Sequence, residues 1–155
     1  MSKTLVGATP IPGMLRGEID ATVATGPDDL LEAYGTVIRD TVDRLGVDAI
    51  ADETGLDLGT IESLRNGDLG SVMLSDAAAV LGADPDRPGA DTIAAEARDV
   101  LLLGMTTAVV DVDTLSSALD GTLEPKEIQQ KLEGRHPITL REYAAIHYEL
   151  REHTD

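Results

Sequence analysis

The chain has 155 residues and a net charge of −17, from 29 acidic against 12 basic residues, and it contains no Cys, Phe or Trp. The absence of cysteine excludes a disulfide framework, a thiolate metal site and a cysteine nucleophile. The hydrophobic fraction of 42% is ordinary for one or two small globular domains, but a core of Ala, Val, Leu and Ile favours closely packed helices.

The N-terminal segment, residues 1–26, is rich in Gly, Thr and Pro and has no sustained hydrophobic period, which predicts a flexible tail. It lacks the apolar centre of a signal peptide. The longest apolar run, residues 100–105, is far shorter than the roughly 20 residues that a membrane-spanning helix needs. These features predict a cytoplasmic protein with no membrane segment.

Residues 27–83 predict a first helical unit. Pro27 and two following Asp residues open a long amphipathic helix, and Gly46 ends it. Three shorter helices follow, each with a capping-type residue in front and a glycine behind. They are predicted at 49–54 after Asp48, at 58–66 after Asp57 and at 76–81 after Ser75.

The sequence pattern of residues 84–112 predicts a short linker and then a long helix that begins at Ala90. The stretch from Leu101 to Val112 is almost continuously apolar, so we predict a central buried helix. Its surplus apolar surface predicts contact with a protein partner or with a second copy of the chain. Because Thr and Val favour strands, a buried β-strand at 107–112 is the alternative.

Residues 113–155 predict a second unit that ends in two helices separated by a glycine and a turn. Its boundaries are indicated by capping residues, a first-turn proline and a glycine stop. The signals are Asp113 before a helix at 114–119, Pro125 at the start of the next helix, Gly134 as its stop, and Thr139 with Glu142 at capping-box spacing.

The two units look like copies of one another. A shift of 67 residues places Ile61 on Ile128 and Gly67 on Gly134, and one deletion in the turn then places Leu74 on Leu140. Apolar positions, the glycine stop and an acidic first turn coincide. We therefore predict an internal duplication; the alternative is a chance match between two similar helix-turn-helix segments.

The segment from Ala51 to Gly67, followed by the helix to Leu81, resembles the helix-turn-helix of the phage-repressor (Cro and lambda-repressor-like) superfamily. The segment from Glu127 to Ile146 is similar. The resemblance implies an all-α fold with two such units joined by the central helix, in which the second helix of each motif enters the DNA major groove. The chain also resembles an uncharacterised haloarchaeal family, which implies no activity, and its acidic, lysine-poor composition is typical of salt-in halophiles; an ordinary acidic protein is the alternative.

The resemblance also implies which side chains contact DNA. Residues 121–155 hold five of the twelve bases and all three His, whereas acids surround the first motif, so we predict the contact in the second unit. Gln side chains can bond adenine, and Arg or Lys can bond guanine or phosphate. By position the candidates are Lys126, Gln129, Gln130, Lys131 and Arg135, and the candidates in the first motif are Thr60, Ser63, Arg65 and Asn66.

These patterns predict a DNA-associated regulator of a halophile; the alternative is a non-catalytic protein-interaction or assembly module. The three His lack metal-ligand spacing, and no nucleophile or phosphate-loop context is present, so we predict no enzyme, no metal and no cofactor. His147 is predicted to lie at the surface or at an interface. A pI near 4.3 weighs against DNA binding in dilute salt, although this objection weakens in molar salt.

Overall fold

The computed structural model describes residues 26–69 and 72–153; the predicted tail lies outside these residues except for Gly26. Within them the protein is all-α, as predicted, and its only extended pairing is an isolated bridge. The helices are α1 (Pro27–Leu45), α2 (Val47–Thr54), α3 (Leu58–Arg65), α4 (Leu74–Gly82), α5 (Ala90–Ala108), α6 (Val112–Ala118), α7 (Pro125–Leu132) and α8 (Leu140–Glu152).

Local chemistry sets several helix ends as predicted. Helices α1 and α7 begin with Pro27 and Pro125, where the missing N–H is not needed and the fixed φ suits a first turn. The capping box that starts α8 is confirmed: the Glu142 N–H donates to the Thr139 hydroxyl, and the Thr139 N–H donates to the Glu142 carboxylate, both at 3.0 Å.

Three predicted helix starts lie two residues too late. Helix α2 begins at Val47 with Gly46 as its cap, so Asp48 lies inside its first turn. Helix α4 begins at Leu74, before Ser75, because an interstrand-type bridge already fixes the backbone at this point. Helix α6 begins at Val112, and its cap is Asp111, whose Oδ1 accepts from the Thr114 N–H at 2.8 Å. Asp113 lies inside the first turn instead. The alternative strand at 107–112 is also wrong, since those residues end α5 and start α6.

The eight helices form two sets of four in the same order. Helices α1 and α5 are both 19 residues long, and each leads into two short helices and a final helix. Their buried positions share one register at a spacing of 63 residues, so α5 holds in the second set the place that α1 holds in the first. The matched buried pairs are Leu30 and Ile93, Tyr34 and Ala97, and Ile38 and Leu101.

An antiparallel bridge between Met73 and Thr139 joins the two sets. The Leu74 N–H donates to the Ile138 carbonyl, and the Leu140 N–H donates to the Val72 carbonyl, both at 2.8 Å. These are the residues that the sequence repeat places in register. The two hydrogen bonds are therefore exchanged by an approximate two-fold axis through the bridge, which supports the predicted duplication.

Each long helix packs against the last helix of the other set: α1 against α8, and α5 against α4. The α1–α8 contact holds two tyrosines, with the ring centroids of Tyr34 and Tyr143 5.8 Å apart. Helices α4 and α5 approach closely where they connect, because a Cβ added to Gly82 would lie 2.5 Å from the Ala90 nitrogen. Both contacts belong to one continuous apolar core.

Helix α5 is buried on one face, which carries Ala97 and Leu101. The stretch from Leu101 to Val112 is not the buried centre that the sequence predicts, because only Leu101 and Gly104 in it are buried. The other face of α5 exposes Leu102 (40%) and Leu103 (52%), and Val109 after its end is 87% exposed. No single helix among the described residues is long and apolar enough to cross a membrane; α5 and α6 together satisfy that test only as a pair bent by 96°.

Candidate nucleic-acid interface

The five candidate DNA-contacting residues lie on α7 and in the turn that follows it. The structure brings them together on one edge of the second unit, beside the start of α8. Three are exposed and two are half-buried, so their availability to a ligand differs. The exposed ones are Lys126, Gln129 and Arg135, and the half-buried ones are Gln130 and Lys131.

Lys131 is held by the protein itself. Its Nζ lies 2.7 Å from Oε1 of Glu142 and 3.2 Å from the Pro137 carbonyl oxygen, and its side chain is only 14% exposed. The same Glu142 oxygen accepts from the Thr139 N–H in the capping box. Lys131 thus ties the end of α7 to the start of α8, a structural role that the sequence did not predict.

Gln129 and Arg135 both donate to the exposed carboxylate of Glu133, at 3.2 Å and 2.6 Å. The hydrogen bond from Gln129, followed by that from Arg135, lowers the pKa of Glu133. Such exposed contacts contribute little to stability and exchange readily with other partners. Lys126 and Gln130 make no side-chain hydrogen bond with any residue in 26–69 or 72–153.

The equivalent surface of the first unit is acidic. Helix α3 carries Thr60 and Ser63, and Arg65 lies 3.4 Å from the carboxylate of Asp43. Asn66 follows as the C-cap of the helix. Three exposed acids, Asp57, Glu62 and Asp68, flank this surface, and they would repel the phosphates of a nucleic acid.

A cavity of about 280 Å³ opens beside the α7–α8 turn, between this turn, α5 and the start of α4. Its lining includes Arg98, Lys131, Arg135 and His136. The guanidinium of Arg98 lies over Gly134, so closely that a Cβ there would be 3.0 Å from Arg98 Nε. The sequence interpretation missed Arg98; aligning α5 with α1 would have placed it beside the α7–α8 turn.

His147 is fully buried, which contradicts its predicted position at the surface or an interface. Its Nδ1 shares a 3.0 Å hydrogen bond with the Tyr34 hydroxyl, and its Nε2 has no hydrogen-bond partner. Burial, with a smaller contribution from the charge of Arg151, lowers the pKa of His147 to about 4. The imidazole is therefore a neutral core group, and it lies away from the α7 surface.

Metal binding finds no support in the described part of the chain, where no three His, Asp or Glu residues are grouped to hold an ion. The model of a family described as "Family of unknown function (DUF5791)" matches residues 30–153. No curated protein and no solved structure matches the chain. The matched segment covers α2 to α8 and all but the first three residues of α1, so it includes both sets of four helices.

Proposed function

We propose that this chain, which belongs to the DUF5791 family of unknown function, is a cytoplasmic, non-enzymatic regulator of a halophile that contacts DNA through its second unit. The observation that carries the proposal is the contrast between α7 and its counterpart α3. The two helices occupy equivalent places, but at three exposed positions α7 and its turn carry a base or an amide where the first unit has an acid or glycine, although Glu127 of α7 is an exposed acid where α3 has Thr60. The matched positions are Gly59 and Lys126, Glu62 and Gln129, and Asp68 and Arg135.

The geometry leaves some of these side chains more available for DNA contact than others. Lys126 and Gln130 are not engaged by described residues, and Gln129 and Arg135 are held only by an exposed acid. In the proposed complex the glutamines bond base edges and the cations bond guanine or phosphate. Lys131 positions the turn and does not contact DNA directly, because its ammonium group is already used.

The net charge of −17 restricts the conditions under which such binding can occur. In dilute salt the whole acidic surface repels a polyanion. In molar salt the Debye length falls to roughly 3 Å, so only groups in direct contact with the DNA matter. Counterion release then contributes little, and short hydrogen bonds must supply the affinity. The proposal therefore applies to a salt-rich cytoplasm.

Fluorescence anisotropy with a library of genomic duplex fragments in about 2 M KCl tests the proposal under the screening it requires. We expect wild type to bind a subset of fragments and Lys126→Ala/Gln130→Ala to bind them at least about tenfold more weakly. Ser63→Ala, at the first-unit counterpart of Gln130, is the matched control and should bind as wild type does. Absence of wild-type binding to every fragment would refute the proposal.

A second candidate function is protein contact through the outer face of α5. Leu102, Leu103 and Val109 are exposed together, and Val109 has a φ of 55°, which is sterically unfavourable for a β-branched residue. Strain of this kind concentrates at functional sites. Light scattering in the same buffer should show self-association that Leu103→Asp abolishes, and a strict wild-type monomer would refute self-association through this face.

A further inference from the structure

The cavity beside the α7–α8 turn, called the basic cavity below, collects cations from separate parts of an acidic chain. Arg98 comes from α5, Lys131 from α7, and Arg135 and His136 from the turn. Three of the twelve Lys and Arg residues therefore line one cavity in a protein with 29 acids. The acidic composition makes this concentration notable, and DNA contact by Lys126 and Gln130 does not account for it.

The first unit has no such set of bases at the equivalent positions. There Leu69 is buried, and its Cδ1 would lie 2.7 Å from a Cβ on Gly35, so an apolar side chain packs directly on α1. All four lining bases of the second unit replace an apolar, acidic or glycine residue. The cavity is therefore a specific feature of the second unit and not a consequence of the shared backbone. The pairs are Gly35 and Arg98, Leu64 and Lys131, Asp68 and Arg135, and Leu69 and His136.

Arg98 supplies the uncompensated charge of the basic cavity. Lys131 is paired with Glu142, and Arg135 with Glu133, whereas Arg98 forms no ion pair with any residue the structure describes. The guanidinium can reach the turn because Gly134 has no Cβ to obstruct it. Helix α4 also begins at the cavity without a side-chain cap, but Asp76 lies in its first turn and the Leu74 N–H donates to the Ile138 carbonyl, so Arg98 remains the main positive charge there.

We propose that the basic cavity binds a small tetrahedral oxyanion, either free phosphate or the phosphate group of a small phosphomonoester. Guanidinium groups that reach the cavity from α5 and from the turn match the donor pattern that phosphate oxygens accept. A volume of about 280 Å³ lies just below the range for small-molecule sites, roughly 300–1,000 Å³, which favours a compact ligand. The cavity is lined by Leu74 and Ser75 of α4 as well as by the second unit, so a bound anion bridges both units.

Calorimetric titration with inorganic phosphate, at constant ionic strength in KCl, tests the proposal without any nucleic acid. We expect wild type to bind phosphate, and Arg98→Gln to bind it at least about tenfold more weakly, because a charge-assisted contact is lost. Glycerol phosphate should bind about as well as inorganic phosphate. Dimethyl phosphate, a diester that mimics the DNA backbone, should bind at least about tenfold more weakly, since it carries less charge and offers fewer free oxygens.

A pair of glycine variants separates ligand binding from backbone strain. Gly134 and Gly67 have φ values of 80° and 85°, so alanine strains both turns, but only at Gly134 does the new Cβ meet Arg98. Gly134→Ala should therefore lose phosphate binding, and Gly67→Ala should retain it. The proposal is overturned if wild type binds no phosphate, if Arg98→Gln and Gly134→Ala bind it normally, or if dimethyl phosphate binds equally well. Failure here leaves the proposed DNA contact unaffected, because no DNA is present.

Discussion

Helices α3 and α7 are each eight residues long, are followed by a turn with a left-handed glycine, and lead through the same antiparallel bridge into the next helix. Their apolar anchors Ile61 and Ile128 are both completely buried. Three exposed positions of these helices and their turns, in contrast, hold Gly, Glu and Asp in the first unit and Lys, Gln and Arg in the second. The apolar and glycine positions thus determine the backbone conformation that the two units share. The helix-turn-helix motif by itself does not indicate which unit contacts a ligand.

The two helix contacts between the units, α1–α8 and α4–α5, also differ in the volume of their side chains. The α1–α8 contact contains two tyrosines and a histidine, and the positions equivalent to them at the α4–α5 contact hold two alanines and a leucine. Helices α4 and α5 are close where they connect, since a Cβ on Gly82 would lie 2.5 Å from the Ala90 nitrogen. Among the described residues, the α1–α8 contact buries the hydrogen bond between Tyr34 and His147. The matched sets are Tyr34, Tyr143 and His147 against Ala97, Ala77 and Leu81.

The largest expected effect comes from this buried histidine. Its folded-state pKa of about 4 lies below the ordinary value of 6.5, so the unfolded chain takes up the proton first as the pH falls. The contribution of His147 to stability is fully present above pH 6.5 and is lost by about 3 kcal/mol as the pH falls from 6.5 to 4. Urea unfolding at several pH values should show this loss.

His147→Leu, which introduces the residue found at the equivalent Leu81, should remove this part of the pH dependence. His153→Gln is the control, since His153 is exposed and a change there should leave the pH dependence as in wild type. An unchanged acid dependence in His147→Leu would contradict the assignment of His147 as the responsible group.

Features with causes inside a few residues could be predicted from the sequence. Pro125 marks the start of α7, Thr139 with Glu142 forms the predicted capping box, and Gly134 adopts the left-handed conformation that ends a helix. Each depends on backbone hydrogen bonding within one turn. The apolar period and these signals are sufficient for the all-α fold and for the starts of all eight described helices to within about two residues.

Features that depend on contacts distant in the sequence could not be predicted. The sequence predicts that Lys131 contacts DNA, whereas its ammonium group binds Glu142, eleven residues away across a turn. The sequence predicts that His147 lies outside the core, since nothing near it in the chain indicates its hydrogen-bond partner Tyr34, 113 residues away. The equivalence of α1 and α5, which places Arg98 at the cavity, was hidden because the two helices share spacing but few residue types.

Removal of the Asp84 carboxylate should lower the free energy of unfolding by about 2–3 kcal/mol. Asp84 is almost fully buried and accepts from Arg44 at 2.7 Å and from Arg87 at 3.2 Å, which links the end of the first unit to α1. Because the Arg44 side chain is exposed, water screens its attraction to Asp84 and makes this loss of stability smaller. Urea unfolding should show the loss for Asp84→Ala, whereas the exposed Asp86→Ala should change stability by less than about 0.5 kcal/mol. Equal effects would contradict the assigned role.

Lys131→Met should destabilise the protein by about 1 kcal/mol, because it removes the half-buried tie to Glu142 and keeps most of the aliphatic stem. Arg135→Gln is the matched change in the same turn, and its exposed pair with Glu133 should contribute almost nothing. Denaturant midpoints of the two variants measure the difference. If Lys131→Met were as stable as wild type, Lys131 would return to the set of free DNA-contacting groups.

The ends of the two long helices differ in strain. Helix α1 ends at Gly46 with a φ of 93°, whereas α5 ends at Val109 with a φ of 55°. Val109→Asn should stabilise the protein by about 0.5 kcal/mol, since asparagine tolerates the left-handed region better than valine. Leu103→Asn, on the same face but in helical conformation, should give no gain in thermal unfolding. A loss of stability in Val109→Asn would show that Val109 makes contacts that outweigh its strain.

The difference between the two units is tested most directly by NMR of the ¹⁵N-labelled protein, with a duplex selected by the binding screen, in about 2 M KCl. We expect amide shift changes in residues 126–135, which comprise most of α7 and its turn, and none in the equivalent residues 59–68. Equal changes in both segments, or changes confined to residues 59–68, would contradict the account in which the second unit alone contacts DNA.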